Sequence, residues 1–134
     1  MTNVLEPNVS QAIYPKTENP WLLCGALLEF AEDGEFALVR QIVSVFLNDT
    51  RLKMALLQQT VRSGDVSEAR RIAHSLKGAA RQVGTLHMAE AAAQLENCVR
   101  EIDQPAFSRL VLSTVLAWEE ASRSIAAALA SMPR

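Results

Sequence analysis

The chain has 134 residues, which is the size of a single domain. Hydrophobic residues make up 49% of the chain and charged residues 21%, a balance that is typical of globular proteins and excludes a disordered chain. The net charge of −2 removes the electrostatic argument for binding nucleic acid or an anionic membrane surface. Alanine and leucine, which both favour helices, together supply over a quarter of the residues, so we expect an all-helical domain.

Cysteine and histidine usage narrows the class of protein further. Cys24 and Cys98 lie far apart in the sequence, and we expect both to be reduced. His74 and His87 have no cysteine or carboxylate at ligand spacing, so we expect neither a metal site nor a bound cofactor. The apolar run 21–30 is too short for a membrane span and lacks the flanks of a signal peptide, which predicts a cytoplasmic protein.

The N-terminal part of the chain has few structural signals. Residues 1–18 contain two prolines and no helical period, and they are predicted to form a flexible arm. Asn19 and Pro20 are a typical N-cap and first-turn pair, so a short apolar helix is predicted from there to about Ala31. Gly34 then marks a break.

The next segment has a strict helical period. Its apolar and small polar residues recur every three or four positions and fall in one stripe about 80° wide. The stripe consists of Phe36, Val39, Val43, Phe46, Thr50, Met54, Leu57 and Val61. This pattern predicts one long helix that begins at Glu35 and ends near Ser63 and Gly64.

A second long helix follows a capping signal. Asp65 and Glu68 have the spacing of a capping box, so a helix is predicted from Asp65 to Val83, with Gly84 as its stop. Its predicted core face consists of Ile72, Leu76, Ala79 and Val83, flanked by Ala69, Ala73 and Ala80. This helix contains His74, the candidate reactive residue considered below.

Two more helices complete the predicted fold. Thr85 is predicted to cap a helix to about Ile102, and its inner face is Met88, Ala92, Leu95, Val99 and Ile102. Asp103 and Pro105 begin the last helix, whose stripe is Phe107, Val111, Thr114, Trp118, Ala121, Ile125, Ala128 and Met132. Short connections make neighbouring helices antiparallel, so residues 19–132 are predicted to form an up-down four-helix bundle with a short extra N-terminal helix.

An unusual group of residues surrounds His74, which lies opposite the predicted core face and is therefore expected to be exposed. Four basic side chains and one glycine lie within about 60° of it, and no acidic residue of the same helix shares that sector. The sector consists of Ser67, Arg70, Arg71, Lys77, Gly78 and Arg81. Arg70, Arg71 and Arg81 are equally compatible with an ordinary charged helix face.

The spacing of three residues indicates chemistry on a phosphoryl group. Gly78 is exposed in mid-helix, where glycine costs about 1 kcal/mol relative to alanine, and a partner approaching the backbone beside His74 would explain it. The ammonium of Lys77 lies one turn from His74 and is suited to neutralising phosphate oxygens. A neutral imidazole is a competent nucleophile at cellular pH, so the group predicts a phosphorylatable histidine.

The run H-S-L-K-G-A-A-R-Q-V-G from His74 to Gly84 resembles the histidine-containing phosphotransfer (HPt) domain, with its pattern H-x-L-K-G, small residues and a later glycine. The resemblance covers roughly residues 22–130 and includes A-R-R-I-A before the histidine, S-G-D at 63–65 and L-E at 95–96. It implies a phosphoryl carrier without kinase activity of its own. Such a carrier accepts a phosphoryl group from a receiver-domain aspartate and passes it to another receiver.

The resemblance also implies roles for individual residues. By matching position, His74 is the phosphoryl carrier, Lys77 its electrostatic partner and Gly78 the clearance for a docking receiver. The implied partners are receiver domains of response regulators or hybrid histidine kinases, and the Mg²⁺ of this chemistry belongs to the receiver. Some family members have a glutamine where this chain has Glu96. Because an inward-pointing carboxylate would repel phosphate, no phosphate contact from the adjacent helix is predicted.

The docking face is predicted to combine the sector around His74 with Leu86, Ala89 and Ala93 of the next helix, which would add an apolar contact. The chain is expected to act as a stand-alone monomer, without a receiver or ATP-binding domain of its own. Two alternatives remain open: a receiver-binding module that is never phosphorylated, and a detached substrate domain of a chemotaxis-type histidine kinase. Receiver binding without any phosphoryl exchange would indicate the first, and direct phosphorylation by an ATP-bound catalytic domain would indicate the second.

Overall fold

The structure, a computed structural model, describes residues 25–133, and all regular elements within that range are helices. They are α1 (Ala26–Glu32), α2 (Phe36–Ser63), α3 (Val66–Val83), α4 (Leu86–Glu96) and α5 (Gln104–Ser131). The all-helical class predicted from composition is confirmed. The predicted arm 1–18, the cap at Asn19 and Pro20, and Cys24 lie outside the described residues.

The predicted stripe of α2 forms one wall of the core. Val39, Val43, Phe46, Thr50, Met54 and Leu57 are all buried, as their spacing predicts. Phe36 and Val61, at the two ends of the stripe, are only half-buried, and Thr60 is buried instead of Val61.

Capping residues define the ends of α3 and the start of α5. Asp65 accepts a hydrogen bond from the backbone N–H of Glu68 at 3.0 Å, as the capping signal predicts. At the other end Gly84 has φ of +99°, a left-handed conformation that favours glycine and ends the helix. The Asp103 carboxylate accepts from the N–H of Ala106 at 2.9 Å and starts α5.

Contacts between helix ends fix the direction of α5 relative to α2. Near the start of α2, Arg40 donates to the carbonyl of Met132, beyond the end of α5, at 2.8 Å. At the opposite end, Gln104 at the start of α5 donates to the carbonyl of Val61 at 3.0 Å. The two helices therefore run antiparallel. Between these ends, the half-buried Trp118 packs against the core and donates its indole N–H to the hydroxyl of Thr50.

The predicted end of α4 was wrong. The helix ends at Glu96, not near Ile102, and Val99 is 63% exposed although it continues the inner-face spacing. In a longer helix the Glu96 carbonyl would accept the N–H of Arg100, but here it accepts from the side chain of Arg70 at 3.0 Å. A periodic pattern shows which side would be buried, but not whether the backbone bonds continue.

Three further findings concern the N-cap residue Thr85, the cysteine Cys98 and the apolar character of the helices. Thr85 occupies the N-cap position of α4, but its hydroxyl donates backwards to the Ala80 carbonyl at 3.3 Å and makes no capping bond. Cys98 is a free, half-buried cysteine among residues 25–133. Among residues 25–133 no helix has both the length and the apolar character that crossing a membrane requires.

Candidate functional site

His74 lies in the middle of α3 on the side that faces away from the core. Its side chain is 70% exposed, whereas the opposite side of the helix is buried. The buried residues are Ala69, Ile72, Ala73, Leu76, Ala80 and Val83, and the predicted Ala79 is half-buried. The orientation predicted from the 3.6-residue period is confirmed, and the imidazole is open to an approaching partner.

A carboxylate from the neighbouring helix joins the basic sector of α3. Glu96, the last residue of α4, places Oε2 2.6 Å from Nδ1 of His74. Its other oxygen, Oε1, lies 2.6 Å from Nζ of Lys77. The basic sector has no acidic residue of α3, but in the folded domain it receives a carboxylate from α4. The geometry of α3 alone does not reveal this contact.

The electrostatics of this group favour an ionised Glu96. The ammonium of Lys77 and, to a smaller extent, His74 lower the pKa of the Glu96 carboxyl, and partial burial opposes them. The side chain is 21% exposed and Lys77 22%, so this pair is shielded more than an ordinary surface salt bridge. At neutral pH the site consequently contains a carboxylate held between an imidazole and an ammonium.

The contact with Glu96 determines which ring nitrogen of His74 carries the proton. An ionised carboxylate only accepts hydrogen bonds, so Nδ1 must donate to it. In the neutral imidazole the lone pair then lies on Nε2. The arrangement can therefore present Nε2 as a nucleophile on an exposed ring.

Arg70 was predicted on the docking face, but it has a role within the domain. Its Nε donates to the backbone carbonyl of Glu96 at 3.0 Å, and its side chain is half-buried. This bond attaches the end of α4 to α3 next to the carboxylate contacts with His74 and Lys77. Three residues of α3 thus hold one residue of α4, which fixes the position of Glu96.

Arg71 also has an acidic partner, this time on its own helix. Its Nε donates to Glu68 Oε1 at 2.9 Å, and its Nη2 donates to Oε2 of the same carboxylate. This hydrogen-bonded guanidinium lowers the pKa of Glu68. The pair is exposed, so Arg71 can exchange Glu68 for a partner's carboxylate at little cost.

Gly78 is exposed, and internal packing does not explain it. A Cβ built at this position would have no heavy atom within 4 Å, so an alanine would fit without contact. Glycine inside a helix costs about 1 kcal/mol relative to alanine. The free domain therefore gains nothing from Gly78 that the described residues show, which favours a reason outside the domain.

A shallow open depression lies beside the histidine and contains one residue that the sequence analysis missed. It is lined by Ser67, Arg70, Arg71, His74, Glu96 and Arg100. Arg100 follows the end of α4, and the turn that starts after Glu96 brings it toward α3. Because α4 was predicted to continue past this point, no sequence signal placed Arg100 beside His74.

The apolar part of the predicted docking face is only partly available. Leu86 is 55% exposed, as expected of a contact residue. Ala89 is only 4% exposed, which leaves almost none of its surface for the predicted docking contact, and Ala93 is half-buried. The short helix α4 contacts α3 on one side and α5 on the other, which buries a wider face than a single core stripe.

A second histidine forms a similar pair elsewhere on the surface. Nδ1 of His87 lies 2.9 Å from Oε1 of Glu120 on α5, and the ring is 66% exposed. The adjacent open depression includes Glu90, Glu119 and Arg123. Among the described residues, no group of three or more metal-ligating side chains forms at either pair.

Comparison with known proteins identifies the family of this helical domain. The family model of the Hpt domain matches residues 41–130, which include all of α3 and α4 and most of α2 and α5. Neither the curated proteins nor the solved structures give a significant match. Hpt domains are phosphotransfer carriers of phosphorelays, interact with receiver domains and are not kinases. The chain therefore belongs to the Hpt domain family.

Proposed function

We propose that this chain accepts a phosphoryl group on Nε2 of His74 from a receiver aspartate and passes it to the aspartate of another receiver. One observation carries the assignment to this atom. Glu96 lies 2.6 Å from Nδ1, which leaves the lone pair on Nε2 of an exposed ring. Membership of the family supplies the class of reaction.

The proposed transfer needs no proton to leave the histidine. The Nε2 lone pair attacks the phosphorus of the aspartyl phosphate, the P–O bond breaks, and its electron pair leaves on the receiver carboxylate. The ring keeps its Nδ1 proton and becomes an imidazolium, which faces the carboxylate of Glu96. Onward transfer reverses these steps: a second carboxylate attacks phosphorus, and the electron pair of the P–N bond returns to Nε2.

Neighbouring residues are proposed to neutralise the phosphoryl oxygens and to contact the receiver. Lys77 is the proposed cation for the phosphoryl oxygens, because one carboxylate contacts both its ammonium and the imidazole. Gly78 is the proposed clearance for the receiver surface, since the space beside it is open. The exposed side chains proposed to contact the receiver are Ser67, Arg71, Arg81 and Leu86.

The test is a phosphotransfer assay with a panel of purified receiver domains phosphorylated on aspartate. Wild type is compared with His74→Gln, and His87→Gln is the matched control because His87 also pairs with a glutamate. We expect acid-labile, base-stable label on wild type and on His87→Gln, and none on His74→Gln. Label that persists on His74→Gln would contradict the proposal.

The same assay separates the alternatives. Receivers that bind without exchanging label, together with ATP-bound kinase domains that also fail, would indicate a sequestering module. Direct labelling by an ATP-bound catalytic domain, with no labelling by receivers, would indicate a substrate domain of a chemotaxis-type kinase. We further propose a monomeric, cytoplasmic carrier in which residues 19–132 form one up-down bundle, and sedimentation of the full chain tests the oligomeric state.

A further inference from the structure

We infer that Glu96 lowers the retention of the phosphoryl group on His74, so that the domain passes the group onward more readily than it stores it. The inference rests on the proposed function of His74 and concerns how firmly the group is held. Its structural basis is that one carboxylate contacts both the group proposed to carry the phosphoryl group and the group proposed to neutralise its oxygens. Those groups are the imidazole of His74 and the ammonium of Lys77.

The ammonium of Lys77 has a partner before any phosphoryl group arrives. It lies 2.6 Å from Glu96 Oε1, and both side chains are about four-fifths buried. Lys77 is also the largest cause of the lowered pKa of Glu96, so the pair is favourable in the free domain. A phosphoryl group on Nε2 gains the full attraction of Lys77 only if the ion pair between Lys77 and Glu96 breaks or weakens. By linkage, a contact that stabilises the unphosphorylated state lowers the affinity for the phosphoryl group.

The remaining contributions of Glu96 oppose each other. Its carboxylate attracts the imidazolium that phosphorylation creates, because Oε2 lies 2.6 Å from Nδ1. It also repels the phosphoryl group, which carries nearly two negative charges on the far side of the ring. The attraction to a single nearby positive charge and the repulsion from a more distant double negative charge largely cancel. Competition for Lys77 therefore decides whether Glu96 raises or lowers the retention of the phosphoryl group.

To replace Lys77, two of the other cations around the ring would have to leave their present partners. On α3, Arg70 donates to the Glu96 carbonyl and Arg71 to the Glu68 carboxylate. Arg100 lines the same depression from the turn after α4. Arg70 also holds the backbone of Glu96 in place, so the carboxylate stays close to both partners when the phosphoryl group arrives.

The substitution Glu96→Gln isolates the charge from the shape of this side chain. The glutamine amide oxygen can still accept the Nδ1 proton, so the ring orientation and the nucleophilic Nε2 are retained. The negative charge that holds Lys77 is removed. A purely structural role for Glu96 would therefore be largely preserved in this variant, whereas an electrostatic role would not.

The test uses phosphoramidate as a small phosphoryl donor, so that no receiver is required. The P–N bond of phosphoramidate breaks, a bond forms between phosphorus and Nε2, and ammonia leaves. Added ammonium makes the reaction reversible, and intact-protein mass spectrometry gives the ratio of phosphorylated to free protein. We expect Glu96→Gln to raise this ratio about two- to fivefold, as for the loss of a partly exposed ion pair. An unchanged or lower ratio would overturn the inference.

Two controls make the result specific. Glu120→Gln removes the carboxylate beside His87 and should leave the ratio unchanged. In a Lys77→Ala background, Glu96→Gln should give little or no rise, because the competition has been removed. An undiminished rise in that background overturns the inference. Failure of the proposed function is a separate result: wild type then carries no label, or His74→Gln carries as much as wild type.

Discussion

The molecule carries two histidine–glutamate pairs that are nearly alike in local geometry. Nδ1 of His74 lies 2.6 Å from Glu96, and Nδ1 of His87 lies 2.9 Å from Glu120. Both rings are exposed, at 70% and 66%. In each pair the carboxylate comes from the following helix and holds Nδ1, so both rings would present Nε2 as the nucleophilic nitrogen.

The two pairs differ in the charges around them. The ammonium of Lys77 contacts the same carboxylate as His74, and three arginines line the adjacent depression. Beside His87, the depression contains Glu90 and Glu119 as well as the paired glutamate, with one arginine. A phosphoryl group with nearly two negative charges is attracted to the first surface and repelled by the second. We therefore expect the surrounding charge, and not the histidine–carboxylate pair, to determine which site suits phosphoryl transfer.

The largest expected effect is the difference between the two histidines themselves. With phosphoramidate as donor, we expect phosphorylation of His74 and none of His87, because the surface around His87 is acidic. His74→Gln should lose all labelling, and His87→Gln should be labelled like wild type. Mapping the modified peptide by mass spectrometry at neutral pH checks this, and label on His87 would show that surrounding charge does not select the site.

Removing the cation that distinguishes the first pair should have the next largest effect. We expect Lys77→Ala to slow phosphoryl transfer from a receiver about tenfold, since a charge-assisted contact contributes about 1.5 kcal/mol or more. Lys77 is on the rim of the core, so the helical content should remain, as circular dichroism can show. Lys53→Ala is the matched control, because Lys53 pairs with Asp49 on α2 at 2.5 Å, away from the site. A melted Lys77→Ala variant would contradict the geometry described above.

Gly78 permits a sharper test, because stability and transfer should change in opposite directions. An alanine fits without contact in the free domain, so Gly78→Ala should stabilise it by about 1 kcal/mol in denaturant unfolding. Transfer from a receiver should become slower, because the added methyl group obstructs the docking surface. Phosphorylation by phosphoramidate, which needs no docking, should be unaffected. If receiver transfer is also unaffected, Gly78 is not the clearance proposed here.

The smallest expected effect is the pH dependence of stability at the first pair. The pKa of Glu96 is lowered on folding, mainly by Lys77, so the unfolded state binds the proton more readily. The contribution of Glu96 is therefore complete above the ordinary carboxyl pKa of about 4.3 and is lost as the pH falls through the lower pKa of the folded protein. Unfolding of wild type and of Glu96→Gln across that range should show a shallower acid decline in the variant. An identical decline would show that the pair does not stabilise the fold.

Much of the fold could be predicted from local signals. The end of α3 at Gly84 follows from a left-handed backbone that favours glycine, and its start from the carboxylate of Asp65. The exposure of His74 follows from the helical period alone. The end of α4 did not follow, because Val99 continues the spacing while the Glu96 carbonyl bonds to Arg70 on another helix.

The candidate site also combines residues that local spacing predicts with residues that only helix packing brings together. The chain places His74, Lys77 and Gly78 on one side of α3 by spacing, so the sequence alone indicated a phosphorylatable histidine with a cation beside it. Glu96 and Arg100 lie 22 and 26 positions after His74, and nothing local relates them to it. Only the packing of α4 against α3 brings the carboxylate between the imidazole and the ammonium. Periodicity describes the faces of one helix, whereas the charge next to the reacting nitrogen depends on which helices meet.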